Sequence, residues 1–242
     1  MKIKKFIAEN FLIDSAITGE FVPFIFNDVQ TKYYKILIDT YGEALEFVRD
    51  IILKARKEGF TSLVLGIFAA LDLHARTATR SLEISYKDDA TRQHFRRYRN
   101  FILSAFQPKP AKWTKDLERN VFRSTTEGSE LVMAHNLASF YVGTASTKTG
   151  ERGGTVQRIL FSEEAHYPNT GIIRASEIID GTASMVAVGQ GMIFRETTAN
   201  GFNHFKRSWG MAKRKELNYA PRFFSYKEFY TAEQFEQIKL GF

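Results

Sequence analysis

The chain has 242 residues, 44% of them hydrophobic, enough for one sizeable α/β domain and too apolar for disorder. It has no cysteine, which excludes disulfides and thiolate zinc sites. Its formal net charge of +7 favours a polyanionic partner, and the basic start MKIKKFIAENF leads into no apolar run fit for a signal peptide or membrane span, so a soluble cytosolic protein is expected.

Residues 1–26 read as an irregular entry ending in the apolar run FVPFIF. Asn27 or Asp28 caps a helix through QTKYYKILIDTY to Gly42. EFVRDIILKA, 46–55, reads as a short helix or turn passing into a buried strand, followed by the loop RKEG and an apolar helix over 61–76. SLEISY alternates like a strand, and Asp88 or Asp89 caps a helix whose Phe95, Tyr98, Ile102 and Phe106 recur at helical spacing. Residues 107–130 are polar and aperiodic and read as a surface connection with short strands. ELVMAH, SFYVGTAS, RILFS and MIFRETTA read as strands, with a Gly-rich loop TKTGERGGT and a helix within 169–184 between them. A basic helix, FNHFKRSWGMAKRKE, and a tail with the aromatic strand PRFFSYKEFY follow. Strands alternating with helices imply an α/β fold with a mainly parallel central sheet flanked by helices, whose ligands bind at the carboxyl ends of the strands.

Three segments fall at such ends. KARKEGFTS, 54–62, has the strand, Gly-containing loop and helix start that cradle a phosphate. Gly59 and Thr61 stand where the second Gly and the Ser/Thr of G-x-x-x-x-G-K-[ST] belong, but Lys54 replaces the first Gly and Phe60 the usual Lys. The positive charge lies upstream, on Lys54, Arg56 and Lys57. RILFSEEAHYPN, 158–169, places acids at the tip of an apolar strand, where an ATPase holds the carboxylate that orients the attacking water. RETTANGFNHF, 195–205, puts paired threonines at a strand end before a tight Asn-Gly turn, suited to sensing a phosphate. Upstream, Gln30 at a helix start presents an amide able to read an adenine edge. The histidines at 74, 94, 135, 166 and 204 show no metal-ligand spacing and read as structural.

Together these pieces resemble the N-terminal ATPase domain of tailed-bacteriophage large terminases, the DNA-packaging motors. FVPFIFNDVQ resembles the adenine-contacting segment, IILKARKEGFTS a deviant Walker A, SFYVGTASTKTGERGGTVQRILFSEEAHYPN the stretch into Walker B, and ETTANGFNHF the coupling motif, over roughly residues 20–210. The resemblance implies an ASCE/RecA-like P-loop NTPase core over 1–215 using ATP and Mg²⁺, with 216–242 a lid or linker toward a nuclease domain that the chain has no room for. By the same resemblance Gln30 contacts adenine, and Lys54, Arg56, Lys57, Glu58, Gly59, Phe60, Thr61 and Ser62 form the phosphate-binding set. Thr61 ligates Mg²⁺, aided by Ser162 directly or through water, since Ser162 replaces the usual Walker B Asp. The catalytic groups are Glu163, or Glu164 one residue on, with Arg56 and with Arg152 reaching a neighbour's nucleotide; Thr197, Thr198, Ala199 and Asn200 couple hydrolysis to movement.

The implied partners are double-stranded DNA, a portal protein, a small terminase and further copies in a ring, in the host cytoplasm and away from membranes. DNA contact is expected at phosphates, through Arg92, Arg96, Arg97 and Arg99, through Arg119 and Arg123, or through 206–215. Two other readings fit the residues: a helicase-like nucleic-acid-dependent ATPase, and a non-catalytic basic DNA-binding module with a decayed P-loop.

Overall fold

A computed structural model describes residues 2–15, 18–126, 129–145, 154–170 and 173–228. The entry segment is more regular than expected. It forms α1 (Ile3–Asn10), with Ile3 and Ile7 buried four residues apart, then an antiparallel pair, β1 (Leu12–Asp14) and β2 (Phe21–Pro23). α2 (Asp28–Tyr41) starts in a capping box: Asn27 Oδ1 accepts from the Gln30 N–H (2.8 Å) and Gln30 Oε1 from the Asn27 N–H (3.0 Å). The segment expected to begin as a helix or turn is strand throughout, β3 (Phe47–Lys54), because Val48, Ile51 and Ile52 are buried on both faces of a covered sheet.

α3 (Phe60–Leu73), β4 (Arg80–Ser85) and α4 (Asp88–Phe106) follow; Lys87 occupies the α4 cap, and Asp88 and Asp89 instead lie in its first turn, where they favour the helix dipole. The polar connection contains α5 (Lys115–Val121), capped by Thr114, and β5 (Phe122–Thr126). Then come β6 (Glu130–Met133), β7 (Ser139–Thr144), β8 (Arg158–Ser162), α6 (Ala175–Ala183), β9 (Gly191–Thr198), α7 (His204–Lys213) and β10 (Ala220–Phe224). No helix of the described residues is long and apolar enough to cross a membrane.

The main sheet has the order β10-β3-β9-β8-β4-β7-β6-β5, parallel from β10 to β7 and antiparallel over β7, β6 and β5. Alternation along the strands divides the core. Val48, Ile52, Leu160, Met192 and Phe194 pack with α1–α4, while Ile159, Phe161 and Ile193 pack with α6 and Ile51 with α7. The segment after 215, expected as a lid or linker, supplies edge strand β10. Its Arg222 reaches the buried Asp50 (3.3 Å), which also accepts from Tyr33 and Tyr41 at 2.8 and 2.7 Å.

Asp72, fully buried at the end of α3, joins three elements by accepting from Thr79 and Ser81 (both 2.7 Å), Tyr98 (2.7 Å) and Arg158. Removing one partner of such a network strands the others without solvent. Asp72→Ala is expected to lower unfolding free energy by about 3–5 kcal/mol, and Tyr98→Phe by about 1 kcal/mol, both read from urea denaturation.

Candidate nucleotide site

The loop from β3 to α3 is held from outside. Asn27 Nδ2 donates to the Glu58 carbonyl (3.3 Å) and Gln30 Nε2 to the Gly59 carbonyl (2.8 Å). Since a carbonyl and the next N–H point oppositely across a trans peptide, pinning these two carbonyls to α2 turns the N–H groups of Gly59 and Phe60 the other way. The first bond of α3 runs from the Leu63 N–H to the Gly59 carbonyl (3.0 Å), so the N–H groups of Phe60, Thr61 and Ser62 are the uncommitted donors of a helix start. Gly59 has φ 77°, and a Cβ there would lie 2.6 Å from Gln30 Nε2, so only glycine fits. Lys57 is also left-handed, at φ 64°. Arg56 and Lys57 are exposed, Ser62 is buried, and the Phe60 ring is buried between Tyr33 and Phe224 (centroids at 5.2 and 4.9 Å).

Lys54, last in β3, lies between two carboxylates, Glu163 and Glu196, each 2.9 Å away. Burial opposes its charge, but the fields of Glu196 and Glu163 outweigh it and hold the ammonium protonated. Glu163 follows β8. Burial raises its carboxyl, yet Lys54 and two hydrogen bonds from Thr198, N–H at 3.0 Å and Oγ1 at 2.9 Å, bring it below the ordinary range. Glu163 has φ 53°, an uncommon left-handed conformation that turns its side chain toward β3 and β9. Glu196, absent from the sequence-derived set, is wholly buried and accepts from Thr61 Oγ1 (2.7 Å) and Ser162 Oγ (2.8 Å). Its signal in the sequence is an acid inside the apolar strand MIFRETT, two residues before Thr198 and therefore on the same face. Lys54, Thr61, Ser162, Glu163, Glu196 and Thr198 thus form one cluster at the ends of adjacent strands β8, β9 and β3.

Glu164 belongs elsewhere. It makes a bidentate pair with Arg195 (2.6 and 2.7 Å) on the opposite face, where Arg195 stacks on Tyr219 (5.1 Å). Burial disfavours the guanidinium charge and Glu164 more than restores it. Of the expected coupling residues, Thr197 and Asn200 join this layer, while Thr198 faces Glu163. Thr197 Oγ1 accepts from the Ala165 N–H (3.1 Å), and Asn200 and the α7 cap Asn203 both donate to the Ala165 carbonyl (2.8 and 2.9 Å). Ala199 is exposed. His204 donates to the Glu164 carbonyl (3.0 Å). Arg152 lies outside the described residues. Among the described residues no group of three or more His, Asp or Glu is arranged to hold a metal. Mg²⁺ in nucleotide sites is met instead by a hydroxyl, one or two carboxylates and substrate phosphates, and Thr61, Ser162 and Glu196 offer such donors.

Glu58, inside the loop, is buried with no hydrogen-bond donor committed to its carboxyl; the Ala55 N–H, bonded to the Phe224 carbonyl (3.1 Å), gives only a glancing contact. Burial pushes the carboxyl up to about 8, against the lowering field of Lys54. A raised folded-state value means the folded protein binds more protons than the unfolded one between about pH 4.5 and 8, so this contribution to stability is full below that window and is lost as pH rises through it. Glu58→Gln is expected to remove that loss: the variant gains stability over wild type as pH rises from about 5 to about 9, measured by denaturant unfolding at each pH.

No protein-family model and no curated protein sequence matches the chain. Solved structures do share its fold. The HK97 bacteriophage large terminase superposes with a TM-score of 0.66 at 16% identity, over 93% of this chain and 43% of that one. The large terminase of a thermophilic bacteriophage, solved in complex with ATP-γ-S, gives 0.56 at 13% identity, over 88% of this chain and 49% of that one. The ATPase domain of the Thermus phage P74-26 large terminase gives 0.52 at 17% identity, over 80% and 84%. This chain therefore spans less than half the length of the first two proteins and most of the isolated P74-26 domain. It has the mainly parallel α/β fold of the ATPase domain of bacteriophage large terminases.

Proposed function

We propose that this chain is the ATPase motor of a viral large terminase, hydrolysing ATP with Mg²⁺ to drive double-stranded DNA into a procapsid. The observation that carries the reading is the junction at Thr198, whose N–H and hydroxyl both hold Glu163 while the flanking residues Thr197 and Asn200 hold Ala165 beside α7. A carboxylate placed for phosphate chemistry is thereby bonded to the strand that leads into a basic helix.

In this reading the phosphates lie over the turned-out N–H groups of Gly59, Phe60 and Thr61, with Lys54 and the exposed Arg56 and Lys57 supplying positive charge. Gln30 braces the loop, its amide being committed to Gly59 and Asn27; contact with adenine requires it to release one of them. Glu163 orients a water whose oxygen attacks the γ-phosphorus as the bond to the ADP oxygen breaks. Its low proton affinity keeps it anionic for that task, and its link to Lys54 makes it the catalytic carboxylate in preference to the paired Glu164. Mg²⁺, when bound, neutralises charge developing on the phosphate oxygens. Arg152 completes the site from a neighbouring copy in a ring, with portal and small terminase as further partners. The DNA surface is α7: Lys206, Arg207 and Lys213 are exposed there. On α4, Arg96 is exposed, whereas Arg92 and Arg99 pair with Asp89 and Glu118 and Arg97 lies in the field of Asp14.

Hydrolysis measured against protein concentration tests the reading. Glu163→Gln is expected to lower kcat by about 10²–10⁴-fold with nucleotide affinity retained, and Arg152→Ala to abolish any steeper-than-linear rise. An absence of turnover by wild type at every concentration, with DNA still bound, would identify a binding module instead. Replacing Lys206, Arg207 and Lys213 by Ala is expected to weaken DNA binding regardless of sequence and to reduce the slope of log K against log salt by about 3, measured by fluorescence anisotropy.

A further inference from the structure

We infer that Glu196 is the carboxylate that holds the divalent cation of this site, acting from β9 in the place of the acid missing at Ser162 on β8. The inference rests on the ATPase reading and adds to it a residue outside the resemblance-based set. Its first support is the register. Ser162 and Glu196 are direct partners across β8 and β9, on one face, with Ser162 Oγ 2.8 Å from Glu196 Oε1. An aspartate at 162 would set two carboxylates against each other; serine leaves room for the longer glutamate and donates to it. The acid has moved sideways by one strand and remains at the same strand ends.

The second support is convergence on Thr61. The hydroxyl expected to ligate the cation donates to the same oxygen, Glu196 Oε1, at 2.7 Å. A helix-start hydroxyl and a carboxylate meeting beside a phosphate loop are the protein donors that Mg²⁺ takes when phosphates and water fill the rest of its octahedron.

The third support is charge. Glu163 and Glu196 both face Lys54, and the Lys54 and Glu196 side chains are only 6% and 0% exposed. One ammonium against two carboxylates leaves a surplus negative charge at a buried site, which costs free energy until another cation offsets it. A glutamate acting only as counter-ion to Lys54 would duplicate what Glu163 already provides.

Mn²⁺ as the probe gives a readout independent of turnover. Its affinity is measured by electron paramagnetic resonance with and without a non-hydrolysable ATP analogue. Glu196→Gln is expected to weaken Mn²⁺ binding at least tenfold, and Ser162→Asp/Glu196→Ser, which exchanges the carboxylate and the hydroxyl between strands, to bring it back to near the wild-type value. Wild-type affinity in Glu196→Gln, or a folded exchange variant that fails to recover, overturns the inference. Should the variants not fold, wild-type protein decides. Fe²⁺ in place of Mg²⁺, with ascorbate and peroxide, is expected to cut the backbone beside both Thr61 and Glu196, and cutting that spares β9 overturns it. Binding of a fluorescent nucleotide with Mg²⁺ present separates the two readings: a wild type that binds no nucleotide at all fails the ATPase proposal, whereas nucleotide binding with metal affinity indifferent to residue 196 fails this one alone.

Discussion

The ion triad of Lys54 with Glu163 and Glu196 is the constraint around which the rest is arranged. Burying an ammonium and two carboxylates is costly, and attraction between them offsets that cost only with good geometry and further hydrogen bonds. Those bonds are supplied by Thr61, Ser162 and Thr198, so side chains from β3, α3, β8 and β9 must arrive together. Parallel pairing makes this possible: Lys54 is opposite Thr198, and Ser162 opposite Glu196, at the same end of the sheet. A one-residue slip of β9 would send Glu196 and Thr198 to the other face and leave Lys54 with half its partners.

The same alternation gives β9 two tasks. Glu196 and Thr198 face the cluster with Lys54, while Arg195 and Thr197 face Glu164 and Ala165, next to α7. β9 thus meets Glu163 through Thr198 on one face and Ala165 through Thr197 on the reverse side. The thickness of one strand separates the Lys54 cluster from Ala165, whose carbonyl accepts from the α7 cap Asn203. The pair Glu164–Arg195 makes that reverse side rigid, with both ions buried and doubly hydrogen-bonded.

Much of this is legible in the sequence, for identifiable reasons. α3, β8 and β9 are apolar runs with clear ends, and Asn27 is one of the two caps that the letters offer for α2. α1 escapes a reading by pattern because eight residues with two buried positions give little periodicity. β10 reads as part of a lid because nothing local says that an aromatic stretch after a basic helix returns to pair beside β3; Asp50, far upstream, provides its anchor through Arg222. Glu163 and Glu164 are inseparable in the sequence because the distinction depends on backbone conformation. The left-handed Glu163 breaks the strand alternation, so that Glu163 shares the face of Ser162 while Glu164 goes to the other. Glu196 belongs to no motif, and its one signal is an acid within the apolar strand on the face of Thr198.

The two departures from the usual nucleotide-binding pattern are explained by one geometry. Phe60 occupies the position of the customary lysine, yet its ring is core, in a triangle of mutual ring contacts with Tyr33 and Phe224 that joins the loop to α2 and β10. A lysine there would have to bury its ammonium among aromatics. The lysine whose side chain faces the strand ends is Lys54, last in β3, where it meets Glu163 and Glu196. Lys54 at the strand end meets Glu163 from the end of β8 on one side and Glu196 from β9 on the other, and Ser162, opposite Glu196, donates to it. The altered loop and the altered strand end thus meet in one cluster, where Lys54 at the end of β3 faces Glu196 on β9 beside Ser162.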